Sequence, residues 1–159
     1  MNTAAAQNGK IAELLPKAYK AELETLNNSL ANSVWLDSLR AEEIKEALAT
    51  DLTTELGHAT KLAHRMKQHN ICPFGSMHAQ PTQRSLQPPA DSTDIMAVVR
   101  GVLDAEREAT GMYQKIIREC EQRDYVTQEL AIQILSEGEE HRTMLEGFEH
   151  SLVKHDAKS

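Results

Sequence analysis

Glu55 and His58 lie one helical turn apart in the stretch "TTELGHA", in the middle of an otherwise apolar pattern. Apolar residues recur every three or four positions around them, at Ile44, Leu48, Leu52, Ala59, Leu62 and Met66. This spacing marks one face of a helix. The carboxylate and the imidazole are therefore predicted to point into a helix-packed core, where a charge must be compensated.

Three more segments repeat this arrangement. The first runs through Ile11, Leu15, Ala18, Glu22, Leu26, Leu30 and Val34. The third runs through Ile95, Val99, Val102, Glu106, Ala109, Tyr113, Ile116 and Cys120. The fourth runs through Leu130, Ile134, Glu137, His141, Leu145 and Phe148. Each helical face thus carries at least one inward acid.

These inward acids predict a metal site. A single inward acid could be a buried polar residue with hydrogen-bond partners, or could mean that the inward face is assigned incorrectly. Four unpaired acids in one core, however, would cost several kcal/mol each. Lysines and arginines lie mostly off these faces, so direct ion pairs cannot compensate the charge. Glu22, Glu55, Glu106 and His141 are all near the middles of their segments, which places them in one layer of an antiparallel bundle. Two divalent cations, held by carboxylates and histidines, would balance such a layer.

The elements that must position these residues are four helices, predicted at about 9–35, 40–69, 93–121 and 125–152. Acidic residues in "RAEEIKE" suit the start of the second helix, and "DSTD" at 91–94 has the spacing of a capping box. Short connections join the first helix to the second and the third to the fourth. Each pair is therefore predicted to form an antiparallel hairpin.

The middle connection, residues 70–92, is long and contains four prolines. A link of this length can cross a bundle from end to end, while the alternative is a disordered linker between two separate hairpins. We predict an all-α fold, a four-helix up-down bundle with a long crossover between helices 2 and 3. A single domain is expected over 1–159, with the bundle at about 9–152.

Composition and charge exclude several classes of partner. The net charge of −7 disfavours nucleic acid or an anionic membrane as a partner. No apolar run approaches the roughly 20 residues that span a bilayer, and the N-terminus lacks an apolar signal region. Cys72 and Cys120 suggest neither a disulfide framework nor a thiolate zinc site. A cytoplasmic protein is expected.

Four stretches of the chain resemble the ferritin-like superfamily, specifically bacterioferritin-like di-iron proteins. They are "AELETLNN" at 21–28, "TELGHATKLAHRMKQ" at 54–68, "LQPPADSTDIMAVVRGVLDAEREATGMY" ending at 113, and "LAIQILSEGEEHRTMLEGFEH" at 130–150. The resemblance covers roughly residues 15–150. By position it implies that the metal ligands and catalytic residues are Glu22, Glu55, His58, Glu106 and His141.

The chain departs from this family at one ligand position. The family usually has a glutamate three residues before the last histidine, where this chain has Gly138. Glu137 is an alternative ligand from a shifted angle, or the site has lost a ligand and is impaired. Haem is not supported, because haem-binding bacterioferritins have a methionine where this chain has Leu56. The short tail after helix 4 leaves no room for the fifth helix of large cages, so a dimer or a dodecameric shell is expected.

The resemblance implies a ferroxidase that oxidises Fe(II) with oxygen or hydrogen peroxide, for iron storage or detoxification. Two iron ions per chain are expected, or fewer if Gly138 weakens one site, and manganese fits the same ligands. One alternative is a peroxide scavenger that resembles rubrerythrin or manganese catalase. A second is a non-catalytic helical assembly protein with a degenerate metal site.

Three histidines and two cysteines outside this layer also have side chains that can bind metals. His64, His69 and His78 lie near Cys72 in sequence, but their spacing matches no tetrahedral site, so we expect surface histidines. Cys120 lies on an apolar face and is predicted to be a small buried residue.

Overall fold

The computed structural model describes residues 3–156 and contains four long helices. They are α1 (Thr3–Trp35), α2 (Glu42–Gln68), α3 (Ile95–Cys120) and α4 (Tyr125–Asp156). Single 3₁₀ turns occur at Leu39–Ala41 and Ser76–His78, and residues 3–156 form no strand. The all-α prediction is confirmed, although α1 begins earlier and α4 ends later than expected. Within the described residues, none of the helices is both long and apolar enough to cross a membrane.

The predicted hairpins and crossover are both present. α1 packs on α2, α3 packs on α4, and α1 also contacts α3. The crossover follows α1 along its length: the ring of Phe74 packs edge-on against Tyr19, and farther along Asp37 donates its amide to the Ser92 carbonyl at 2.9 Å. The crossover therefore returns the chain to the end where α2 began, so α2 and α3 run in the same direction. A free linker between separate hairpins is excluded.

Polar residues of α1 hold the crossover in place. The Glu24 carboxylate accepts the backbone amides of Thr82 and Gln83 at 2.8 and 2.7 Å. Asn28 donates to the side chain of Gln83, and the fully buried Asn32 donates to the Leu86 carbonyl at 3.2 Å. A crossover without regular structure needs such partners for its backbone groups.

This use of α1 corrects part of the predicted apolar stripe. Leu30 and Val34 were expected to point inward, but their exposed fractions are 50% and 76%. Ser29 and Asn32 are buried in their place. The inward face beyond Glu22 is polar because it packs against the crossover, which leaves the apolar residues on the outside.

The start of α3 differs slightly from the predicted capping box. Asp94 is the N-cap, and its carboxylate accepts the Ala97 amide at 2.9 Å. Asp91 instead binds the amide and hydroxyl of Thr93 in the turn before the helix. Farther along α3, Gly101 faces the crossover so closely that a Cβ there would lie 2.5 Å from the Ser85 carbonyl oxygen.

The apolar core is divided into two clusters by a polar layer. The first cluster fills the end near the α1–α2 turn and includes Leu36, Leu48, Val102 and Leu145. The second fills the opposite end and includes Leu15, Leu62, Ile116 and Ile134. Between Leu48 and Leu62 the buried positions of α2 are mostly polar. The fold thus concentrates its buried charges at mid-bundle.

Candidate metal centre

α2 supplies three of the buried polar side chains from a single stripe. Asp51, Glu55 and His58 are spaced by four and three residues, so they follow one another along one face of the helix. All three are less than 8% exposed. From the sequence, Leu52 was predicted to lie on this face, and Asp51 was not. Continuing the line from Glu55 back by four residues would have found it.

The first of two triads joins α1 to α2. Ligand atoms of Glu22, Glu55 and His58 lie within 4.8 Å of one another. His58 Nδ1 is 3.3 Å from a Glu22 carboxylate oxygen. The Tyr113 hydroxyl of α3 donates to the other Glu22 oxygen. Three of the five predicted ligands are therefore adjacent, with a phenol fixing the orientation of Glu22.

The second triad joins three helices. Ligand atoms of Asp51, Glu106 and His141 also lie within 4.8 Å of one another. His141 Nδ1 is 2.6 Å from Glu106 Oε1 and 3.6 Å from Asp51 Oδ2. Each histidine thus turns Nδ1 toward the carboxylates of its own triad. The remaining two predicted ligands, Glu106 and His141, are paired here.

Both triads line one cavity of about 320 Å³ in the middle of the bundle. Ligand atoms about 2 Å from a cation lie about 3–4 Å from one another. The closest contacts in the triads, 3.3 Å in the first and 2.6 and 3.6 Å in the second, are near this range. The arrangement therefore suits two cations, one per triad, with space beside them for a small molecule. Carboxylate and imidazole ligands are compatible with iron and manganese.

Glu137 lies outside both triads. Its Oε2 is 2.7 Å from His58 Nε2, the ring nitrogen that faces away from Glu22. The other oxygen is 3.8 Å from the Lys61 ammonium, and 44% of the Glu137 side chain is exposed. In this position Glu137 orients the imidazole through Nε2, as carboxylates do for the non-ligating nitrogen of metal-binding histidines.

Gly138 is where the sequence interpretation expected a missing ligand. A Cβ at this position would lie 3.0 Å from Glu106 Oε2. A side chain would therefore press against a residue of the second triad, so position 138 does border the centre.

The buried acids pair with histidines rather than with lysines or arginines in the part of the chain that the structure describes. Among the described residues, the ion pairs of Glu22, Asp51 and Glu106 are all to His58 or His141, and Glu55 has none. Lysines and arginines pair elsewhere, as predicted. Four carboxyl groups facing two imidazoles leave an excess of negative charge that divalent cations would neutralise.

The pKa values of the buried acids do not all shift in the same direction. Burial raises the pKa of Glu55 well above its usual value, and its contact with Glu22 raises it further. Burial raises the pKa of Asp51 to about 6. For Glu22 burial also favours the neutral acid, but hydrogen bonds, first from His58 and also from Tyr113, lower its pKa overall. The raised pKa values therefore favour protonated carboxyl groups at the place where a cation would bind.

The pKa values of the two histidines are both raised. Burial by itself lowers the pKa of each imidazole. Glu22 and Glu137 outweigh this effect at His58, and Glu106 and Asp51 outweigh it at His141, so both pKa values are raised. Both rings consequently favour the protonated form in this arrangement. A metal ion would displace those protons, because a ligating imidazole must present a free nitrogen.

Among the residues that the structure describes, the histidines and cysteines outside this layer do not form a further metal site. His64, His78 and Cys72 are exposed, and His69 instead contacts the Asp124 carboxylate at 2.9 Å. Cys120 is buried, as predicted, and burial raises the pKa of its thiol to about 11.

Comparison with known proteins places this bundle in a family. The family model for the ferritin-like domain matches residues 12–152. The chain belongs to the ferritin-like domain family. No curated protein matches its sequence. Among solved structures, this ferritin-like chain is similar to the bacterioferritin-related protein from Bacteroides fragilis, described as a dodecameric thioferritin in the bacterial domain. The two are 19% identical over 95% of this chain and 90% of the other, with a TM-score of 0.84.

Proposed function

We propose that this ferritin-like protein is a ferroxidase that binds two Fe(II) ions at mid-bundle and oxidises them with oxygen or hydrogen peroxide. The observation that carries the proposal is the pair of acid and histidine triads that line one cavity. One metal position uses Glu22, Glu55 and His58, and the other uses Glu106 and His141. Membership of the ferritin-like family supports iron as the substrate.

The electron balance requires two iron ions for each oxidant molecule. Two Fe(II) ions release two electrons as they become Fe(III). These electrons and two protons convert oxygen to hydrogen peroxide, or hydrogen peroxide to two molecules of water. Carboxylates favour the oxidised ion because their negative charge stabilises the higher cationic charge.

The chain's own residues prepare the site for this reaction. Tyr113 holds one oxygen of Glu22, while Glu137 holds the outer nitrogen of His58. Both contacts fix a ligand before the metal arrives, which lowers the cost of ordering the site. Apolar clusters pack on both sides of the centre along the bundle.

Two variants of neighbouring histidines test the proposal. His58→Ala removes a predicted ligand, whereas His64→Ala removes an exposed histidine less than two turns away on the same helix. We expect His58→Ala to lower both metal content and the initial rate of Fe(II) oxidation by at least about tenfold. His64→Ala should match the parent. The rate is measured by the absorbance of Fe(III) after anaerobic Fe(II) loading and addition of each oxidant.

Two outcomes contradict the ferroxidase. A parent chain that binds no iron would favour the non-catalytic assembly protein. A parent that binds metal but oxidises Fe(II) with neither oxidant, and instead converts hydrogen peroxide to oxygen and water when loaded with manganese, would favour the catalase-like scavenger.

We further propose that the chain forms a homo-oligomer. The similar protein from Bacteroides fragilis is described as dodecameric. In this chain Leu30, Val34 and Leu56 expose half or more of their surface. Leu30 and Val34 lie four residues apart on α1, and Leu56 lies on α2, the other helix of the same hairpin. A second copy would cover such apolar side chains.

A further inference from the structure

We propose that Asp51 is the metal ligand that replaces the carboxylate missing at Gly138, so that α2 rather than α4 completes the second metal position. This inference rests on the proposed two-metal centre. Asp51 Oδ2 is 3.6 Å from His141 Nδ1, the nitrogen that also contacts Glu106 at 2.6 Å. Asp51 therefore faces the same point as the two predicted ligands of that position.

One oxygen of the Asp51 carboxylate lacks the hydrogen bond that a structural role would require. Its side chain is 8% exposed, and Oδ2 has no hydrogen-bond partner among the described residues. A buried, unpartnered carboxylate oxygen is costly and uncommon in folded proteins. By contrast, the structural carboxylate of Glu24 accepts two backbone amides. The Asp51 oxygen is thus available for a cation.

The surroundings of Gly138 also favour a carboxylate supplied from α2. The carboxylate of Glu106 occupies the space beside this glycine, because a Cβ there would lie only 3.0 Å from Glu106 Oε2. A glutamate at position 138 would compete with Glu106 for that space. Asp51 reaches the same cation from α2, without entering the gap between α3 and α4.

Charge balance also favours Asp51 as a ligand. Glu22, Glu55 and Glu106 supply three negative charges when ionised, which leaves two divalent cations with one uncompensated positive charge in the core. Asp51 supplies the fourth. Two divalent cations, four carboxylates and two neutral imidazoles form a neutral group, which is the least costly to bury.

The first test measures metal binding without turnover. Purified variants are titrated anaerobically with Co(II) alone and then with Fe(II) alone, by calorimetry and by the visible absorption of bound Co(II). We expect two ions per chain in the parent. Asp51→Ala and the isosteric Asp51→Asn should each keep one ion and weaken the second by at least about tenfold. Asp104→Asn is the control, because Asp104 is exposed and pairs with Arg107; it should bind two ions.

The second test moves the carboxylate back to α4. Asp51→Ala removes a carboxylate oxygen that lies within 4.8 Å of a Glu106 oxygen. In Asp51→Ala/Gly138→Glu, Glu106 therefore has room to shift by a few tenths of an ångström, so the second ion should return. Gly138→Glu alone should bind the second ion more weakly than the parent, because it crowds Glu106. The matched control is Asp51→Ala/Gly147→Glu, which adds a glutamate to α4 where a Cβ meets nothing within 4 Å. It should remain at one ion.

A stability measurement separates a ligand from a structural residue. If Asp51 is a ligand, Asp51→Asn should leave the melting temperature of the metal-free protein unchanged or higher, and should reduce the increase that Co(II) produces. A lower metal-free melting temperature with an unchanged Co(II) increase would overturn the proposal. If Asp51→Ala does not fold, the isosteric Asp51→Asn variant alone decides between a ligand and a structural residue.

The remaining outcomes distinguish this inference from the function on which it rests. Two ions bound with parental affinity in both Asp51 variants would overturn the ligand assignment and leave the two-metal centre intact. Equal behaviour of the Gly138→Glu and Gly147→Glu double variants would overturn the claim that Asp51 replaces a carboxylate at 138. A parent that binds neither metal would instead reject the proposed function itself.

Discussion

At the scale of single residues, the clearest distinction is between side chains that face the centre and those that support it. Glu137 and Asp51 are both acids near a histidine of the site. Glu137 contacts the outer nitrogen of His58 and is 44% exposed, whereas Asp51 lies on the inner side of His141 and is buried. In the proposed centre a carboxylate therefore has one of two roles, set by the ring nitrogen that it approaches.

The supporting role of Glu137 gives a testable prediction. Glu137→Ala should weaken metal binding at the His58 position by about tenfold, the low end of the range for such partners, because water can replace an exposed carboxylate. Glu137→Gln should cost less, since its carbonyl oxygen can still accept from Nε2. Anaerobic Co(II) titration measures both affinities.

The control for this prediction is Glu140→Ala, which removes an exposed acid from the next turn of α4. It should not change either affinity. Complete loss of one ion from Glu137→Ala, rather than weaker binding, would mean that Glu137 is itself a ligand, as the sequence allowed.

At the scale of helices, Asp124 joins the end of α2 to the start of α4. Its Oδ1 accepts Arg65 Nη2 at 2.6 Å and the Thr127 amide at 3.0 Å, and Oδ2 contacts His69 at 2.9 Å. Burial would raise the pKa of Asp124, but hydrogen bonds from Thr127 and Arg65 outweigh it and lower the pKa to about 2. The folded protein therefore holds this acid ionised more strongly than the unfolded chain does.

The sign of this shift determines its effect on stability. A depressed folded pKa contributes stability above the unfolded value, near 4, and that stability is lost as the pH falls toward 2. Asp124→Asn keeps a good N-cap and removes the charge, so it should lower the free energy of unfolding of the metal-free protein by about 1 kcal/mol at pH 7. The gap between parent and variant should narrow from pH 6 to pH 3, as measured by urea denaturation.

An exposed acid supplies the comparison for Asp124. Asp104→Asn loses only a surface pair with Arg107 and should change stability by less than about 0.5 kcal/mol. A gap for Asp124→Asn that stays constant or widens down to pH 3 would contradict the depressed pKa.

At the scale of the whole molecule, the exposed apolar residues of the α1–α2 hairpin suggest where copies meet. Val34 is 76% exposed and Leu30 is 50% exposed on α1. We predict that Leu30→Glu/Val34→Glu converts the proposed oligomer to smaller species, because charges buried in an interface cost several kcal/mol. Light scattering during size-exclusion chromatography measures the mass.

Val126→Glu is the matched control for this surface. It adds a charge to another exposed valine, at the start of α4. The mass should remain that of the parent. If both variants dissociate equally, or if the parent is a monomer, the hairpin is not the interface.

The sequence by itself determined the helices, their pairing and most of the polar side chains that meet at mid-bundle. Apolar spacing along α2 and α3 identified the inward faces, and each of Glu55, Glu106 and His58 interrupts such a face, so burial of a charge could be recognised without coordinates. The long, proline-rich crossover was also predictable, because hairpins with short turns leave only that segment to connect them.

Only the tertiary structure decided how the crossover and the second triad are arranged. Leu30 and Val34 have the pattern of core residues, but the crossover lies on the opposite face and needs the polar Asn28 and Asn32 there. Helical spacing could have placed Asp51 on the inward face of α2, but only the packing of α2 against α4 brought it to His141. Sequence periodicity describes one helix at a time, whereas these contacts depend on which helix or crossover packs beside it.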